Sequence, residues 1–427
     1  MLYINKLSVN EINTMIMQTE KIQRSGSDPL GRYYTHSLVS QTLVREMNLS
    51  KPNLVVDLGT GDGSLSAEAA QIWTSARFIT VDIDNSITKK NNDRLKEINS
   101  DHFEFDVLNS QLHQRIGLDL ASVDGAICNP PYIRPRWRKD FAEILEDAGL
   151  SGVFPSIKDV GADVLFIAQN LRLLRQSGRL GLILPDGIIA GQKYSELRKT
   201  LINQHKIERI IELPRRIFRK TDAKAHIMIL TKNGQSDETI AVERMDVDGS
   251  LSKRIQVSID QAISRADYSY IENQQSQETH SKVQLNNIYE ALTRGQLSSV
   301  QVRKSNINIF HSTDFASVNS EIYPCIPDKF ILKESPETSL KTTIAKAGDI
   351  LICRVGRNLE EKICFVPNGY VALSDCVYKL QLPTHHTETV LNFLCSLDGR
   401  NQLKALTHGV GAKFLSKNDI LSLMIKV

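Results

Sequence analysis

Short β-favouring runs alternate with helical stretches between residues 54 and 230, and this alternation limits the folds open to the chain. The runs occupy residues 54–57, 78–81, 125–128, 180–184, 210–213 and 227–230, and a further run follows at 240–242. Helices that connect successive strands bring those strands together in parallel and cover both faces of the sheet. The pattern therefore predicts an α/β fold with a doubly wound, mostly parallel sheet.

The chain of 427 residues is too long for one ordinary domain, so we expect several compact parts. Residues 1–27 predict a helical extension, and residues 28–245 contain the sheet. Residues 246–280 predict a connector, which becomes polar from 271 onward. Residues 281–427 predict a smaller domain of mixed α+β character, with a strand-like run at 350–354 and a helical stretch at 390–406.

Composition narrows the class of protein. A chain with 41% hydrophobic and 24% charged residues is typical of soluble globular proteins, and no run of about 18 apolar residues is present to span a membrane. The start lacks the apolar core of a secretory signal, so we expect a cytoplasmic protein. The six cysteines lack C-x-x-C and zinc-site spacing, which predicts no disulfide framework and no metal site. A net charge of +3 is too small to indicate a nucleic-acid partner by itself.

A glycine-rich turn follows the first strand-like run. Gly59, Gly61 and Gly63 precede a helix start, where backbone N–H groups can approach a ligand without side-chain clash. Asp82 ends the next run, where a carboxylate can accept both hydroxyl protons of a ribose, so an adenosine-type cofactor is predicted. Dinucleotide dehydrogenases have a similar turn, and a turn without a ligand is also compatible. The pattern G-x-G-x-G preceded by Asp57 resembles S-adenosylmethionine-dependent methyltransferases, which favours methyl transfer.

Two further segments supply candidates for cofactor contacts. Asp106 lies just past the expected end of another strand and can accept a hydrogen bond from an adenine amino group, although a solvated turn residue is the simpler interpretation. Tyr34 and Thr35 precede a helix-like stretch. Taken alone, Thr35 is also compatible with a helix N-cap.

Asn129, Pro130, Pro131 and Tyr132 directly follow the run at 125–128, so we expect them at the carboxyl end of a strand, where open α/β sheets bind ligands. The Asn129 side-chain oxygen and the Pro130 carbonyl can accept both hydrogens of an adenine amino group, which favours a more tetrahedral nitrogen. The prolines stiffen the loop, and Tyr132 offers a ring face on which a base can stack. A rigid strand exit with a buried tyrosine is the structural alternative.

The order of these motifs resembles the gamma class of adenine-N6 DNA methyltransferases over the part of the chain that ends near residue 245. The resemblance implies that S-adenosylmethionine is the cofactor, with its methionine part near Tyr34, Thr35 and the glycine turn, its ribose at Asp82 and its adenine at Asp106. It also implies that Phe218 contacts the flipped base. An ordinary core phenylalanine would fit the same position.

Basic residues cluster beside both predicted base-handling positions. Charge runs are usually solvated surface, but two of them beside a base pocket are what phosphate contacts require. The candidates for DNA contact are Arg134, Arg136, Arg138, Lys139, Arg215, Arg216, Arg219, Lys220 and Lys224.

Residues 281–427 resemble the target recognition domains of type I restriction specificity subunits. The similarity rests mainly on segments 347–357 and 409–417, and it implies that one chain carries both catalysis and the choice of DNA sequence. Solubilising surface charge is the simpler interpretation of each basic residue there. By charge alone, the candidates for DNA contact are Arg354, Arg357, Lys362, Lys413 and Lys417.

These features together predict a site-specific enzyme that transfers a methyl group from S-adenosylmethionine to the N6 amino group of a flipped adenine in duplex DNA, within a restriction-modification or related defence system. We expect double-stranded DNA as a partner. No segment resembles a nuclease site, so a separate restriction endonuclease is expected to carry out any restriction. Methylation of RNA adenine or of a protein glutamine amide, and a noncatalytic DNA-specificity subunit, stay open as alternatives at this point.

Overall fold

The computed structural model describes residues 35–84, 98–156, 158, 160–215, 217, 218, 224–277, 282–316, 324–335, 342–409 and 413–426. The predicted helical extension, residues 1–27, lies outside this set. The chain divides into two compact units, Met1–Tyr268 and Ser269–Val427. Within the described ranges, no helix has both the length and the apolar character needed to cross a membrane.

The first unit is built on a nine-stranded sheet. Its strands are β1 (Leu54–Leu58), β2 (Arg77–Asp82), β3 (Ser100–Glu104), β4 (Val123–Cys128), β5 (Leu174–Pro185), β6 (Lys206–Glu212), β7 (Ala225–Thr231), β8 (Thr239–Arg244) and β9 (Ile255–Ser258). Across the sheet they lie in the order β3-β2-β1-β4-β5-β7-β6-β8-β9. β1 to β5 are parallel, as are β6 and β8, whereas β7 is antiparallel to β5 and β6, and β9 is antiparallel to β8. The predicted doubly wound, mostly parallel sheet is confirmed.

The helices of the first unit mostly occupy the connections between these strands. Their bounds are α1 (Ser37–Glu46), α2 (Ser64–Ile72), α3 (Leu112–Arg115), α4 (Asp140–Asp147), α5 (Ala162–Leu173), α6 (Asp186–Ala190), α7 (Ser195–Gln204) and α8 (Ile259–Ser264). β4 and β7 are buried along most of their length, as expected for strands covered on both faces. Every residue of α5 is buried, so this helix is part of the core rather than a surface layer.

The segment predicted as a connector, 246–280, is largely regular. β9 pairs with β8 and completes the large sheet, and α8 follows it directly. A further helix, α9 (Tyr268–Gln277), occupies most of the polar stretch expected to be a linker. Its Glu and Gln residues suit a helix, and Ile271 is buried while Tyr270 packs against the core of the second unit. The division between the units therefore falls at Tyr268, inside the predicted connector.

The second unit combines short strands with helices, as the mixed α+β prediction expects. Its strands are β10 (Lys282–Gln284), β11 (Ala291–Arg294), β12 (Ile344–Lys346), β13 (Ile350–Cys353), β14 (Val355–Gly356), β15 (Ile363–Phe365), β16 (Tyr370–Ala372), β17 (Val377–Gln381), β18 (Lys413–Phe414) and β19 (Met424–Lys426). Its remaining helices are α10 (Ser299–Arg303), α11 (Thr384–Cys395), α12 (Leu397–Leu406) and α13 (Lys417–Leu421). The helix predicted at 390–406 is divided, because Ser396 adopts an extended conformation and caps α12 by accepting a hydrogen bond from the Gly399 N–H.

An antiparallel sheet with the strand order β11-β17-β13-β15 lies at the centre of the second unit. β13 is buried at every residue and separates two hydrophobic clusters. Ile350 and Ile352 belong to one cluster, and Leu351 belongs to the other, because successive side chains of a strand point to opposite faces. The second cluster includes Phe310 and Phe330, whose rings meet edge to face with centroids 5.2 Å apart.

A buried cluster of charged residues lies where β5 and β6 end in the first unit. The Lys224 Nζ atom is 2.8 Å from Asp267 Oδ2, 3.2 Å from Glu212 Oε2 and 3.7 Å from Asp186 Oδ1. Arg265 Nε lies 2.5 Å from the other oxygen of Asp267. Burial acts to lower the pKa of Lys224, but the three carboxylates outweigh it and raise that pKa. Lys224, predicted to contact DNA, is instead an internal cation that balances these acids.

Replacing Lys224 with methionine should lower the free energy of unfolding by about 3–5 kcal/mol, because buried carboxylates lose their cation. Lys206→Met is the matched control: Lys206 forms only partly exposed ion pairs, so its loss should cost less than about 1 kcal/mol. Urea unfolding followed by tryptophan fluorescence measures both, since Trp73 and Trp137, the two tryptophans of the chain, lie in the first unit. A Lys224→Met loss no larger than that of the control would contradict the assignment.

Candidate functional site

The carboxyl ends of β1 and β4 lie side by side at one edge of the sheet. β1 pairs with β2 on one side and with β4 on the other, so the strand order changes direction between β1 and β4. In open α/β sheets, the loops that follow two such strands run in opposite directions. Ligands bind in the crevice between these two loops. Four predicted segments reach this edge: the glycine turn after β1, Asp82 at the end of β2, Asp106 just past β3 and Asn129 directly after β4.

The turn after β1 has the conformation that its glycines predict. Gly59, Gly61 and Gly63 have φ angles of 75°, 55° and 74°, in the left-handed region that favours glycine. A Cβ atom at Gly59 would lie 2.9 Å from Phe166 Cε1, whereas one at Gly61 would meet nothing within 4 Å. The turn is therefore packed against α5 at Gly59 and faces open space at Gly61, as a backbone cradle for a ligand requires.

Asp57 is almost fully buried, and its carboxylate holds the turn together. Its Oδ2 atom accepts hydrogen bonds from Thr60 Oγ1 at 3.0 Å and from Ser66 Oγ at 2.6 Å, which joins β1 to the turn and to α2. Burial raises the pKa of Asp57 to about 6, although the two hydroxyl groups act in the opposite direction. Asp57 therefore stabilises the conformation of the glycine turn.

Asp82 connects the glycine turn to the end of β2. Its Oδ2 atom accepts a hydrogen bond from the Gly61 N–H and its Oδ1 atom from the Asp84 N–H, both at 2.9 Å. The Gly59 and Thr60 N–H groups donate to the carbonyl oxygen of Val81, at 2.7 and 3.1 Å. Because each carboxylate oxygen has two lone pairs, Asp82 can accept further hydrogen bonds from a ligand while it holds the turn.

Asp106 is held by Arg138, a residue that sequence analysis placed at the DNA. Arg138 Nη1 lies 2.5 Å from Asp106 Oδ2, and Nη2 donates to the Leu108 carbonyl at 2.5 Å. The other oxygen of Asp106 accepts a hydrogen bond from the Leu108 N–H at 2.9 Å. Gln169 of α5 supports the same loop by donating to two of its backbone carbonyls. The guanidinium of Arg138 thus stabilises the loop after β3, and because its side chain is still 38% exposed, its contact with a phosphate stays a prediction.

Asn129 is bonded to Thr35, which joins two motifs far apart in the sequence. Asn129 Nδ2 donates to Thr35 Oγ1 at 3.0 Å. Thr35 is not the N-cap of α1, since His36 takes that position and its Nδ1 atom accepts from the Leu38 N–H at 3.3 Å. The threonine hydroxyl is therefore available to orient the amide of Asn129.

The loop after β4 is anchored at several points beyond Asn129. Pro130 is buried, and the Tyr132 hydroxyl donates to the Ile183 carbonyl at 3.3 Å. The Ile133 carbonyl accepts a hydrogen bond from the Ala162 N–H, the first residue of α5, at 2.9 Å. These contacts limit the conformations of the loop, as the two adjacent prolines predict.

Phe218 lies in the hydrophobic core of the first unit. Its side chain is 2% exposed and belongs to the same cluster as Leu213 and Ile227, with Ile217 packed against that cluster. In this conformation neighbouring apolar side chains cover the ring. Contact with a base would require the ring to move, and the role of Phe218 stays a prediction.

The basic residues predicted to contact DNA occupy different environments. Beside the loop after β4, the exposed ones are Arg134, Arg136 and Lys139, and Arg215 is partly exposed. In the second unit, Arg357 and Lys417 are exposed and Lys413 is partly exposed, whereas Arg354 and Lys362 donate to the carbonyls of Asp375 and Ser312. The predicted positions outside the described residues are Tyr34, Arg216, Arg219 and Lys220.

More than half of the length of the chain matches one known protein family. Residues 16–294 match the family described as N-6 DNA Methylase. The chain belongs to this N-6 DNA methylase family.

Individual known proteins are similar to part or most of the chain. It is 24% identical over 227 residues to the type I restriction enzyme MpnII methylase subunit of Mycoplasma pneumoniae, a match that covers 49% of this chain and 42% of the relative. It is 24% identical over 223 residues to the MjaVII methylase subunit of Methanocaldococcus jannaschii, covering 48% and 37%. The structure of the type IIG restriction endonuclease BpuSI is similar over 98% of this chain and 61% of that protein, with 14% identity and a TM-score of 0.49. The chain spans less than half the length of the two methylase subunits.

Several residues that support the family motifs escaped sequence analysis. Thr60 and Ser66 hold Asp57, and a hydroxyl residue within the turn beside a buried acid is a signal that could have identified them. Phe166 and Gln169 lie more than a hundred residues from Asp57, and no local pattern connects them to the glycine turn or to the Asp106 loop. Packing of α5 brings them there.

Replacing Asp57 with asparagine should make stability less sensitive to pH. Because the folded pKa, about 6, lies above the ordinary value of 3.8, the favourable contribution of protonated Asp57 is complete below about pH 4 and is lost as the pH rises through 6. Asparagine stays neutral and can still accept from Thr60 and Ser66. The difference in unfolding free energy between Asp57→Asn and wild type should therefore rise by about 2–3 kcal/mol between pH 4 and pH 7.5. This range follows from about 1.4 kcal/mol per pKa unit.

Urea unfolding at each pH, followed by the fluorescence of the buried Trp73, provides the measurement. Asp101→Asn is the control, because Asp101 forms an exposed pair with Arg77 on β2 and its replacement should show a nearly constant difference over the same range. Parallel pH profiles for wild type and Asp57→Asn would contradict the prediction.

Proposed function

We propose that this chain is a site-specific DNA methyltransferase that transfers a methyl group from S-adenosylmethionine to the N6 amino group of an adenine flipped out of duplex DNA. One observation carries the proposal. The Asn129–Tyr132 motif leaves β4 beside the glycine turn that leaves β1, in a chain that belongs to the N-6 DNA methylase family. The neighbouring strand ends would place a methyl donor and an acceptor amino group in one crevice.

The residues at the sheet edge fit S-adenosylmethionine. Gly61 faces open space where a ligand can lie against the backbone, and Asp82 retains the capacity to accept ribose hydroxyls. Asp106 can accept a hydrogen bond from the adenine ring of the cofactor while Arg138 holds its carboxylate. When bound, the cofactor supplies a methyl group on a positively charged sulfur, which leaves readily.

Asn129 and Pro130 would handle the amino group of the target base. The Asn129 Oδ1 atom and the Pro130 carbonyl would each accept one hydrogen of the amino group, which weakens its conjugation with the ring and localises the lone pair on the nitrogen. After methyl transfer the nitrogen would lose one of these two protons to water along the same hydrogen-bonded path. The Thr35 hydroxyl can either donate or accept, so it fixes the amide of Asn129 before the base arrives. The anchored loop makes these acceptors preorganised, which lowers the barrier without a strong general base. Tyr132 offers its ring face to the base.

The second unit would select the DNA sequence. The exposed side chains of Arg357 and Lys417 are suited to phosphate or base contacts, and the mixed α+β architecture is compatible with a target recognition domain. In this proposal the protein binds duplex DNA. It acts within a restriction-modification system in which a separate endonuclease performs cleavage.

Purified protein with labelled S-adenosylmethionine should methylate duplex DNA at adenine in one short sequence context, and Asn129→Ala should reduce that activity below about 1% of wild type. Loss of a preorganised polar contact at a reacting centre typically lowers kcat by about 10²–10³-fold. Cofactor binding, measured by calorimetry, should persist in the variant. Asn53→Ala is the control, because Asn53 is an exposed asparagine at the amino end of β1, opposite the site, and its replacement should leave the rate unchanged.

Sequencing that maps modified adenines identifies the context in the product. Label found only in RNA or in protein glutamine would show that the substrate is RNA or protein rather than DNA. Cofactor binding without transfer to any of these would indicate a noncatalytic specificity subunit. Full activity of Asn129→Ala would remove this residue from the mechanism.

Arg138→Met should weaken S-adenosylmethionine binding about tenfold, equivalent to about 1.4 kcal/mol, because Asp106 and the Leu108 carbonyl lose the guanidinium that positions them. Arg77→Met is a matched control, since it removes another Arg–Asp pair of the same unit, with Asp101, and should not alter cofactor affinity. Calorimetry in the absence of DNA provides the measurement. If the variant binds cofactor normally but binds DNA poorly, Arg138 contacts DNA and does not position the cofactor site.

A further inference from the structure

The loop between β4 and α4 presents an exposed tryptophan. Trp137 has 43% of its surface exposed, whereas the other tryptophan of the chain, Trp73, is buried in the core. Exposing so large an apolar ring is unfavourable in water, at about 25 cal/mol per Å². Trp137 lies five residues after Tyr132, on the segment that continues directly from the proposed base-handling motif.

The backbone around Trp137 is held on both sides. Before it, Ile133 is bonded to the first residue of α5. After it, the Arg138 guanidinium is bonded to the loop after β3 and lies over the ring of Phe141, with Cζ 5.2 Å from the ring centroid. Phe141 itself is buried in the first turn of α4. The indole is therefore presented from an anchored segment, which lowers the entropy lost when it binds a partner.

The charges around Trp137 indicate which partner fits. Arg134, Arg136 and Lys139 are exposed and lie within three residues of Trp137 along the chain, so cationic residues flank it on both sides in the sequence. Acidic residues, among them Glu143, follow on α4 and limit this surface on one side. A flat aromatic ring bordered by arginine and lysine matches a polyanion with exposed ring faces, which is a nucleic acid with an unstacked base step.

We propose that Trp137 occupies the position vacated by the flipped adenine and stacks on the neighbouring base of the duplex. This inference rests on the proposed function and adds a residue that stabilises the open duplex from the protein side. Flipping breaks base stacking and pairing, and an aromatic side chain that occupies the gap offsets part of that loss. Arg134, Arg136 and Lys139 would hold the phosphates on either side, so that the ring enters at a fixed position.

The experiment compares Trp137→Ala, Trp137→Phe and Leu120→Ala on two duplexes that contain the adenine context methylated by the wild type. Leu120 is the matched control, since it is 41% exposed in the same unit and lies outside the proposed site. In one duplex the target adenine is paired with thymine, and in the other it faces an abasic site, where flipping is already easy. Single-turnover methylation and calorimetric cofactor binding are measured for each protein.

On paired DNA, Trp137→Ala should lower the single-turnover methylation rate, measured with enzyme in excess over DNA but below saturation, about 10- to 100-fold, in line with the loss of one aromatic–base stack. On the duplex with the abasic site the same variant should come within about threefold of wild type, because the flipping step no longer limits it. Trp137→Phe should retain most of the activity on both duplexes. Leu120→Ala should match wild type, and cofactor affinity should stay constant throughout.

A second measurement does not depend on activity. In a Trp73→Phe background, Trp137 is the remaining tryptophan of the chain, and its fluorescence should be quenched when the paired duplex binds. Equal losses for Trp137→Ala on both duplexes, or unchanged fluorescence on binding, would overturn the stacking role. If the wild type methylates no duplex DNA, the proposed function fails first, so the two failures are distinguishable.

Discussion

β1 and β4 lie parallel and adjacent, with Asp57 in register with Ile127, and the rest of the first unit is arranged around this pairing. The chain leaves β1 toward β2 and β3, and it leaves β4 toward β5, so the two loops separate at the edge of the sheet. A glycine turn and an Asn-Pro-Pro-Tyr loop that start 70 residues apart in the chain, at Gly59 and Asn129, thereby become neighbours. Hydrogen bonding between the parallel strands provides that proximity.

Polar groups next to this edge are stabilised by partners that are near in the sequence for Asp57 and far from it for Asn129 and Asp106. Thr60 and Ser66 hold Asp57, Thr35 holds Asn129, and Arg138 holds Asp106. Such contacts restrict the orientation of a side chain before a ligand arrives, so less conformational entropy is lost on binding. The site is accordingly organised by a surrounding layer of hydroxyl, amide and guanidinium groups that do not themselves react.

The buried ions near β5 and β6 show a different use of charge. Lys224 draws together the ends of two strands and the segment around Asp267, which immediately precedes the boundary of the first unit. Desolvation makes each of these charges unfavourable alone, so the cluster is stable only when its members are all present. The same edge of the sheet therefore has a buried ionic cluster on the β5–β6 side and the glycine turn and the Asn129 loop on the β1–β4 side.

The amino-acid sequence by itself determined most strands of the first unit, the mostly parallel sheet, the glycine turn and the position of Asn129, because each depends on local periodicity or on residues adjacent in the chain. It did not determine the partner of a charged or hydroxyl side chain. Lys224 was expected at the DNA, yet acids enclose it. Arg138 was also expected there, and the structure adds its bond to the Asp106 loop, which the sequence did not predict. The polar stretch that forms most of α9 was expected to be a linker. Only the tertiary structure decided these contacts, since burial and long-range pairing depend on which segments the sheet brings together.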